Sequence, residues 1–219
     1  MKPLVLHLDF ISPYSYLAWT QIDRIASTSG REVQLVPVLF AAMLDSFGTI
    51  GPAEVPVKRE YTFLDVYRKA KLLGVTLKAP PRHPFAPLIS LRAATAFSEP
   101  SERRRAVAAL YRGAWETGRG VDTPELVVEA LNEGGLDGAA AVARASSHEV
   151  KAELLAATKG AIARGIFGVP TIVADGEPFW GTDSLPSLEQ FLRGEDPITP
   201  EIREIVRTTP AGVERKRKQ

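Results

Sequence analysis

The chain of 219 residues contains no cysteine. This absence excludes disulfide bonds, thiolate metal sites and dithiol redox chemistry by the protein's own side chains. An excess of charge of either sign is also missing, because 27 Lys and Arg residues are balanced by 26 Asp and Glu residues, for a formal net charge of +1. Such a balance gives no bulk electrostatic field, so we expect neither nucleic acid nor a membrane surface as a partner.

Long apolar runs are absent too. No run approaches the ~20 residues that a transmembrane helix needs. The first residues, Met1-Lys2-Pro3, lead into only a short apolar stretch, which predicts no secretory signal peptide and a cytoplasmic protein. The three histidines are scattered and have no carboxylates at ligand spacing, so the sequence predicts no metal site.

The hydrophobic segments that are present fall into three blocks. Residues 4–8, LVLHL, read as a buried strand, and Ser12-Pro13 then gives a helix N-cap followed by the residue favoured at the first helical position. A second strand follows at residues 33–38, which makes a βαβ unit with parallel strands. From about 40 to 165 helical signals dominate. We expect helices at about 57–74, from about 87, at 102–118, from the Thr123-Pro124 start, and from a capping segment at Ser146-Ser147 to about 165.

The last block begins at Val169-Pro170, where strand signals return. Asp175-Gly176 between two apolar runs predicts a hairpin turn, and Asp183 is expected to cap a helix that runs to residue 192. The order βαβ, helices, ββα predicts an α/β protein: a thioredoxin-like fold interrupted by an all-helical insertion. We expect a thioredoxin-like domain from residues 1–40 and 166–195, a helical insertion at 41–165, and a C-terminal helix with a basic tail at 196–219.

The corner at Ser12 is the most informative position. An N-terminal helix end presents unpaired N–H groups and the positive end of the helix dipole, and so favours an anion. In thioredoxin-like proteins this corner carries a Cys-x-x-Cys motif, whereas here it reads Ser12-Pro13-Tyr14-Ser15. Pro170 is expected to be the cis proline that faces this corner and leaves the backbone of Val169 open to an extended peptide. The alternative is an ordinary edge-strand proline.

Several segments in this order carry a family resemblance. They are DFISPYSYLA at 9–18, GPAEVPVKREY at 51–61, PPRHPF at 80–85, GVPT at 168–171 and FWGTD at 179–183. Together they resemble the 2-hydroxychromene-2-carboxylate isomerases and the related kappa-class glutathione transferases.

The resemblance implies roles for individual residues. Ser12 would be the catalytic serine, donating a hydrogen bond to the sulfur of bound glutathione. The remaining glutathione-binding residues would be Lys58, Val169, Pro170, Thr182 and Asp183, with Lys58 near the glycyl carboxylate or the aromatic substrate. The substrate pocket would include Tyr14, Phe47, Tyr61, Arg82 and Trp180.

The implied activity is a glutathione-dependent interconversion of 2-hydroxychromene-2-carboxylate and trans-o-hydroxybenzylidenepyruvate, or of a similar aromatic keto acid, in the catabolism of aromatic compounds. Glutathione would be a true cofactor, and a homodimer is the implied assembly. Two alternatives stay open: a kappa-like transferase or peroxidase, and a non-redox peptide-binding module. Outside the implied site, we expect a packed, hydrogen-bonded His7 and a solvated helix face at Arg68, Lys69 and Lys71.

Overall fold

This computed structural model describes residues 1–213, and the predicted basic tail at 214–219 lies outside the described residues. The strands are β1 (Leu4–Leu8), β2 (Val33–Pro37), β3 (Thr171–Ala174) and β4 (Glu177–Trp180). The α-helices are α1 (Pro13–Thr28), α2 (Phe40–Phe47), α3 (Pro56–Leu73), α4 (Leu88–Thr95), α5 (Pro100–Tyr111), α6 (Pro124–Glu133), α7 (Gly138–Ala145), α8 (His148–Ala163), α9 (Leu185–Leu192) and α10 (Pro200–Thr208).

The four strands form one mixed sheet in the order β2-β1-β3-β4. β1 pairs in parallel with β2, with Leu6 opposite Leu35, and antiparallel with β3, with Leu6 opposite Ile172. β1 is therefore a central strand, which explains its nearly unbroken apolar run. All four strands come from residues 4–37 and 171–180, and the long segment between β2 and β3 is helical. The predicted α/β thioredoxin-like fold with a helical insertion is confirmed.

Side-chain caps begin four of the helices where the sequence indicates them. The side-chain oxygens of Ser12, Thr123, Ser147 and Thr199 each accept a hydrogen bond from a backbone N–H in the first turn of α1, α6, α8 and α10. These caps satisfy donors that a helix end otherwise leaves unpaired.

The helix expected to run from Glu102 to Gly118 is different in the structure. α5 begins at Pro100, with Glu99 as its N-cap, because a proline lacking an N–H fits the first helical turn. After Tyr111 the chain continues as a π-helical turn, Arg112–Glu116. This turn carries Trp115 into the core. Two helices, α2 and α7, are additional to those predicted; α2 has no side-chain hydrogen bond at its N-cap.

One continuous core joins the sheet to the helices. Buried residues of β1, such as Leu6, belong to the same apolar cluster as Leu91 of α4, Trp115 and Leu131 of α6. A smaller cluster, with Val38, Met43, Ala161, Ile166 and Val169 as its buried members, packs α2 and α8 beside the end of β2. Among the described helices, none is long and apolar enough to cross a membrane.

Candidate active site

The corner between β1 and α1 presents a serine hydroxyl at a helix N-terminus. Ser12 has extended backbone angles (φ −90°, ψ 114°), and its Oγ accepts a hydrogen bond from the Ser15 N–H at 3.1 Å. The hydroxyl proton is not used by that bond and has no acceptor among the described residues. Ser12 is 8% exposed and lines a cavity of about 880 Å³. The site can therefore offer one O–H donor to a group in the cavity.

The segment before β3 lines the same cavity. The Val169–Pro170 peptide bond is cis, as predicted. Val169 and Pro170 both lie in the cavity wall. The N–H and C=O of Val169 have no hydrogen-bond partner within residues 1–213, although the residue is only 7% exposed. An extended peptide in the cavity can pair with these two groups, as an added strand does.

The turn before α9 differs from the prediction at Asp183. Thr182–Ser184 form a 3-10 turn, and Ser184, not Asp183, is the N-cap of α9. The hydroxyl of Ser184 donates to the carbonyl of Gly181, which holds this turn ahead of the helix. Asp183 is exposed and lines the cavity, whereas Thr182 is buried and its Oγ1 has no partner among the described residues.

The predicted pocket residues divide into two groups. Tyr14, Tyr61 and Trp180 line the cavity together with Ser12. Phe47 is 38% exposed and does not line the cavity, although its ring centroid is 6.5 Å from that of Phe167, a lining residue. Its role toward a substrate stays a prediction.

The two predicted cations do not line the cavity. Lys58 is exposed in the first turn of α3. Arg82 points to Asp122, with 3.1 Å between its Nη2 and Oδ2, and its side chain is 74% exposed. Their roles toward a ligand stay predictions.

A polar group that the sequence did not reveal occupies the wall formed by α1 and α3. The hydroxyl of Tyr14 donates to Asp65 Oδ2 at 2.7 Å, and Lys69 Nζ lies 2.7 Å from the same oxygen. Burial alone would raise the pKa of Asp65, but the hydrogen bonds from Lys69 and Tyr14 hold it below its usual range. The i, i+4 spacing of Asp65 and Lys69 was the available signal; their proximity to Tyr14 was not visible in the sequence.

A buried carboxyl ties the corner to α2. Asp9 is completely buried, and its two oxygens accept hydrogen bonds from the N–H groups of Ile11 at 3.1 Å and Phe40 at 2.9 Å. Burial raises the pKa of Asp9 to about 7, although these backbone hydrogen bonds oppose the shift. His7 is also buried, as expected, and its Nε2 lies 3.2 Å from Arg164 Nη2. Burial and the nearby Arg164 lower the pKa of His7 to about 4.

These two groups affect stability in opposite directions between pH 4 and 7. His7 binds a proton in the unfolded state at pH values where it stays neutral in the folded state. The free energy of unfolding therefore decreases as the pH falls from about 6.5 to 4. Asp9 stays protonated in the folded state over a pH range where it ionises in the unfolded chain. Its contribution to the free energy of unfolding therefore increases as the pH falls from 7 to about 4. Asp9→Asn removes this compensation. We expect its free energy of unfolding to fall more steeply than that of the wild type across this range, by up to about 1.4 kcal/mol per pH unit.

Urea unfolding at half-unit steps of pH measures this slope. The control is Asp45→Asn, which replaces an exposed aspartate of α2 and is expected to keep the wild-type slope. Equal slopes for Asp9→Asn and the wild type would contradict the assignment.

Comparison with known proteins identifies a family match and several relatives of this chain. The sequence profile of the DsbA-like thioredoxin domain matches residues 4–193. The 2-hydroxychromene-2-carboxylate isomerase of Pseudomonas putida is 30% identical over 194 residues, which cover 85% of this chain and 92% of that protein. Glutathione S-transferase kappa 1 of Rattus norvegicus is 27% identical over 218 residues, with 92% and 96% of the two chains covered.

The fold agrees with a solved structure of a 2-hydroxychromene-2-carboxylate isomerase. The two superpose with a TM-score of 0.78 at 26% identity, over 96% of this chain and all of that one. The matched profile covers the Ser12 corner, the Val169–Pro170 bond and the turn at Asp183. The chain therefore belongs to the DsbA-like thioredoxin family.

Proposed function

We propose that the protein is a glutathione-dependent isomerase that interconverts 2-hydroxychromene-2-carboxylate and trans-o-hydroxybenzylidenepyruvate, or a similar aromatic keto acid. The observation that carries the proposal is the free hydroxyl of Ser12 at the N-terminus of α1, in the same cavity as the unpaired backbone of Val169. A dithiol enzyme would need cysteines at this corner, and the chain has none. The similarity to the isomerase of Pseudomonas putida supports this activity.

The residues around the cavity fit glutathione. The unpaired N–H and C=O of Val169 suit the peptide backbone of its cysteinyl unit. The exposed carboxylate of Asp183 suits its ammonium group, and the buried, unpartnered hydroxyl of Thr182 lies in the same turn. When bound, glutathione supplies a thiol that adds reversibly to the conjugated carbon of the substrate.

The protein's own part is to polarise and position that thiol. A thiol with a pKa of about 8.5 is roughly 3% ionised at neutral pH, so complete ionisation gains only about thirty-fold. Correct placement of two reacting groups is worth far more, about 10⁵ M or above in effective concentration. Ser12 acts in both ways, because its hydroxyl and the helix dipole stabilise an anion at one fixed point.

The test is the interconversion of 2-hydroxychromene-2-carboxylate and trans-o-hydroxybenzylidenepyruvate, followed by absorbance with and without glutathione. We expect saturable acceleration by glutathione at amounts below the substrate, with all of the thiol recovered afterwards. An isomerase consumes no glutathione, whereas a kappa-like transferase leaves a stoichiometric conjugate. Absence of saturable glutathione binding by calorimetry, with binding of unfolded peptides instead, would favour the peptide-binding alternative.

A further inference from the structure

The ionisable groups around the cavity are mostly acidic. Its described lining includes five carboxylates and a single lysine or arginine side chain, that of Lys69. The carboxylates are those of Asp9, Asp45, Glu54, Asp65 and Asp183. Among the described lining side chains, the one cation that a substrate carboxylate meets is therefore that of Lys69.

Three of these carboxylates are already engaged within the protein. Asp9 accepts two backbone N–H groups, and Glu54 Oε1 accepts the N–H of Gly51 at 2.6 Å. Asp65 Oδ2 accepts both from Tyr14 and from Lys69. Of the partners in these bonds, only Lys69 is a cation, and it lies in the wall at a distance in sequence from the helix end at Ser12.

Lys69 is held in a defined position with donors to spare. Its Nζ is bonded to Asp65 and lies 5.0 Å from the centroid of the Tyr14 ring. An ammonium group has three N–H donors, and the other two have no partner among the described residues. The side chain is 32% exposed, so its charge is only partly screened by solvent. Tyr14 follows Ser12 by two positions, which brings this ammonium to the wall beside the reactive corner.

We propose that Lys69 is a specificity-determining residue whose free N–H groups bind the carboxylate of an aromatic keto acid. The cavity then selects acids over neutral electrophiles of the same shape. Asp65 and Tyr14 are positioning residues in this proposal, because Asp65 bonds the ammonium directly and the ring and hydroxyl of Tyr14 contact this pair. This inference rests on the proposed function for the identity of the substrate, but the charge preference can be measured independently of turnover.

The kinetic test compares a benzylidenepyruvate with its methyl ester. Lys69→Met is expected to lower kcat/KM for the acid about 10- to 100-fold, mainly through KM, because one charged hydrogen bond is lost. The ester should change little. Lys69→Arg should restore much of the preference for the acid, and Lys71→Met, an exposed lysine on the same helix, should behave like the wild type. Equal losses for acid and ester would overturn the proposal.

A binding test separates this inference from the proposed function. Trp180 lines the cavity, so its fluorescence reports the binding of a non-reacting aromatic acid such as cinnamate, and of cinnamamide as its neutral counterpart. The wild type should prefer the acid, and Lys69→Met should lose that preference even if no isomerisation is detected. Glutathione also carries carboxylates, which the Lys69 ammonium would attract. The binding of glutathione to the wild type and to Lys69→Met is therefore measured separately, by calorimetry. If Lys69→Met weakens glutathione binding as much as cinnamate binding, Lys69 serves the thiol and the proposal is wrong.

Discussion

Replacement of Ser12 by alanine is expected to lower kcat/KM for the glutathione-dependent isomerisation by about 100- to 1000-fold, as for the loss of one preorganised donor to a reacting anion. The Oγ of Ser12 already accepts the N–H of Ser15, so its own proton is available to a group in the cavity. Alanine removes that donor at the point where the helix dipole also acts. The rate is measured at saturating glutathione, so that a change in thiol affinity is separated from a change in chemistry.

Two further variants distinguish the donor from the cap. Ser12→Asp keeps an acceptor for the first turn of α1 but offers no donor and adds a repulsive charge, so it should be as inactive as the alanine variant. Ser15→Ala removes a completely buried hydroxyl that faces the Tyr111 hydroxyl and does not line the cavity, and it should retain activity within a few-fold. Near wild-type activity in Ser12→Ala would contradict the proposed role. The cap itself is worth only about 1 kcal/mol of stability.

Replacement of Trp115 by alanine is expected to lower the free energy of unfolding by about 3–5 kcal/mol. Trp115 is completely buried, and its Nε1 donates to the carbonyl of Phe10 at 2.8 Å. Its ring also packs near those of Phe63, His83 and Phe85, which come from α3 and the following loop. Alanine both empties this space and leaves a buried carbonyl unpaired two residues before Ser12.

Urea unfolding followed by circular dichroism measures this loss. Trp115→Phe keeps most of the ring but removes the donor, so we expect a smaller cost of about 1–3 kcal/mol. Trp19→Phe is the matched control, because Trp19 is only partly buried and its indole N–H has no partner among the described residues. We expect a cost of less than about 1 kcal/mol there. A Trp115→Phe variant as stable as Trp19→Phe would show that the Phe10 hydrogen bond contributes nothing.

The local signals in the sequence were sufficient for the fold. A cap such as Ser12 or Thr123 acts within one helical turn, so it can be recognised from neighbouring residues. The unbroken apolar run of β1 likewise indicates that this strand is buried. Such features depend on residues close together in the chain. The cis bond at Pro170 was predicted in another way, from the place that the cis proline takes in thioredoxin-like folds.

The residues that line the cavity could not all be predicted, because they are brought together by contacts between distant parts of the chain. Lys69 was expected in a solvated helix face, yet it lines the cavity because α3 packs against α1 beside Tyr14. Arg82, which was expected at the substrate pocket, pairs with Asp122, forty positions along the chain, and its role toward a ligand stays a prediction. The π-helical turn that buries Trp115 likewise has no sequence signature of its own.

The order of the strands has a consequence for biosynthesis. β1 and β2 are synthesised well before β3 and can pair at once, but the other neighbour of β1 is β3, where Val5 pairs with Val173. Until the ribosome has released that segment, one edge of β1 keeps unpaired N–H and C=O groups that can capture another chain. Pairing across so long a loop also slows folding, since distant contacts must wait for loop closure. The reactive corner at Ser12 is therefore synthesised well before β3 and β4, the strands beside which its cavity is completed.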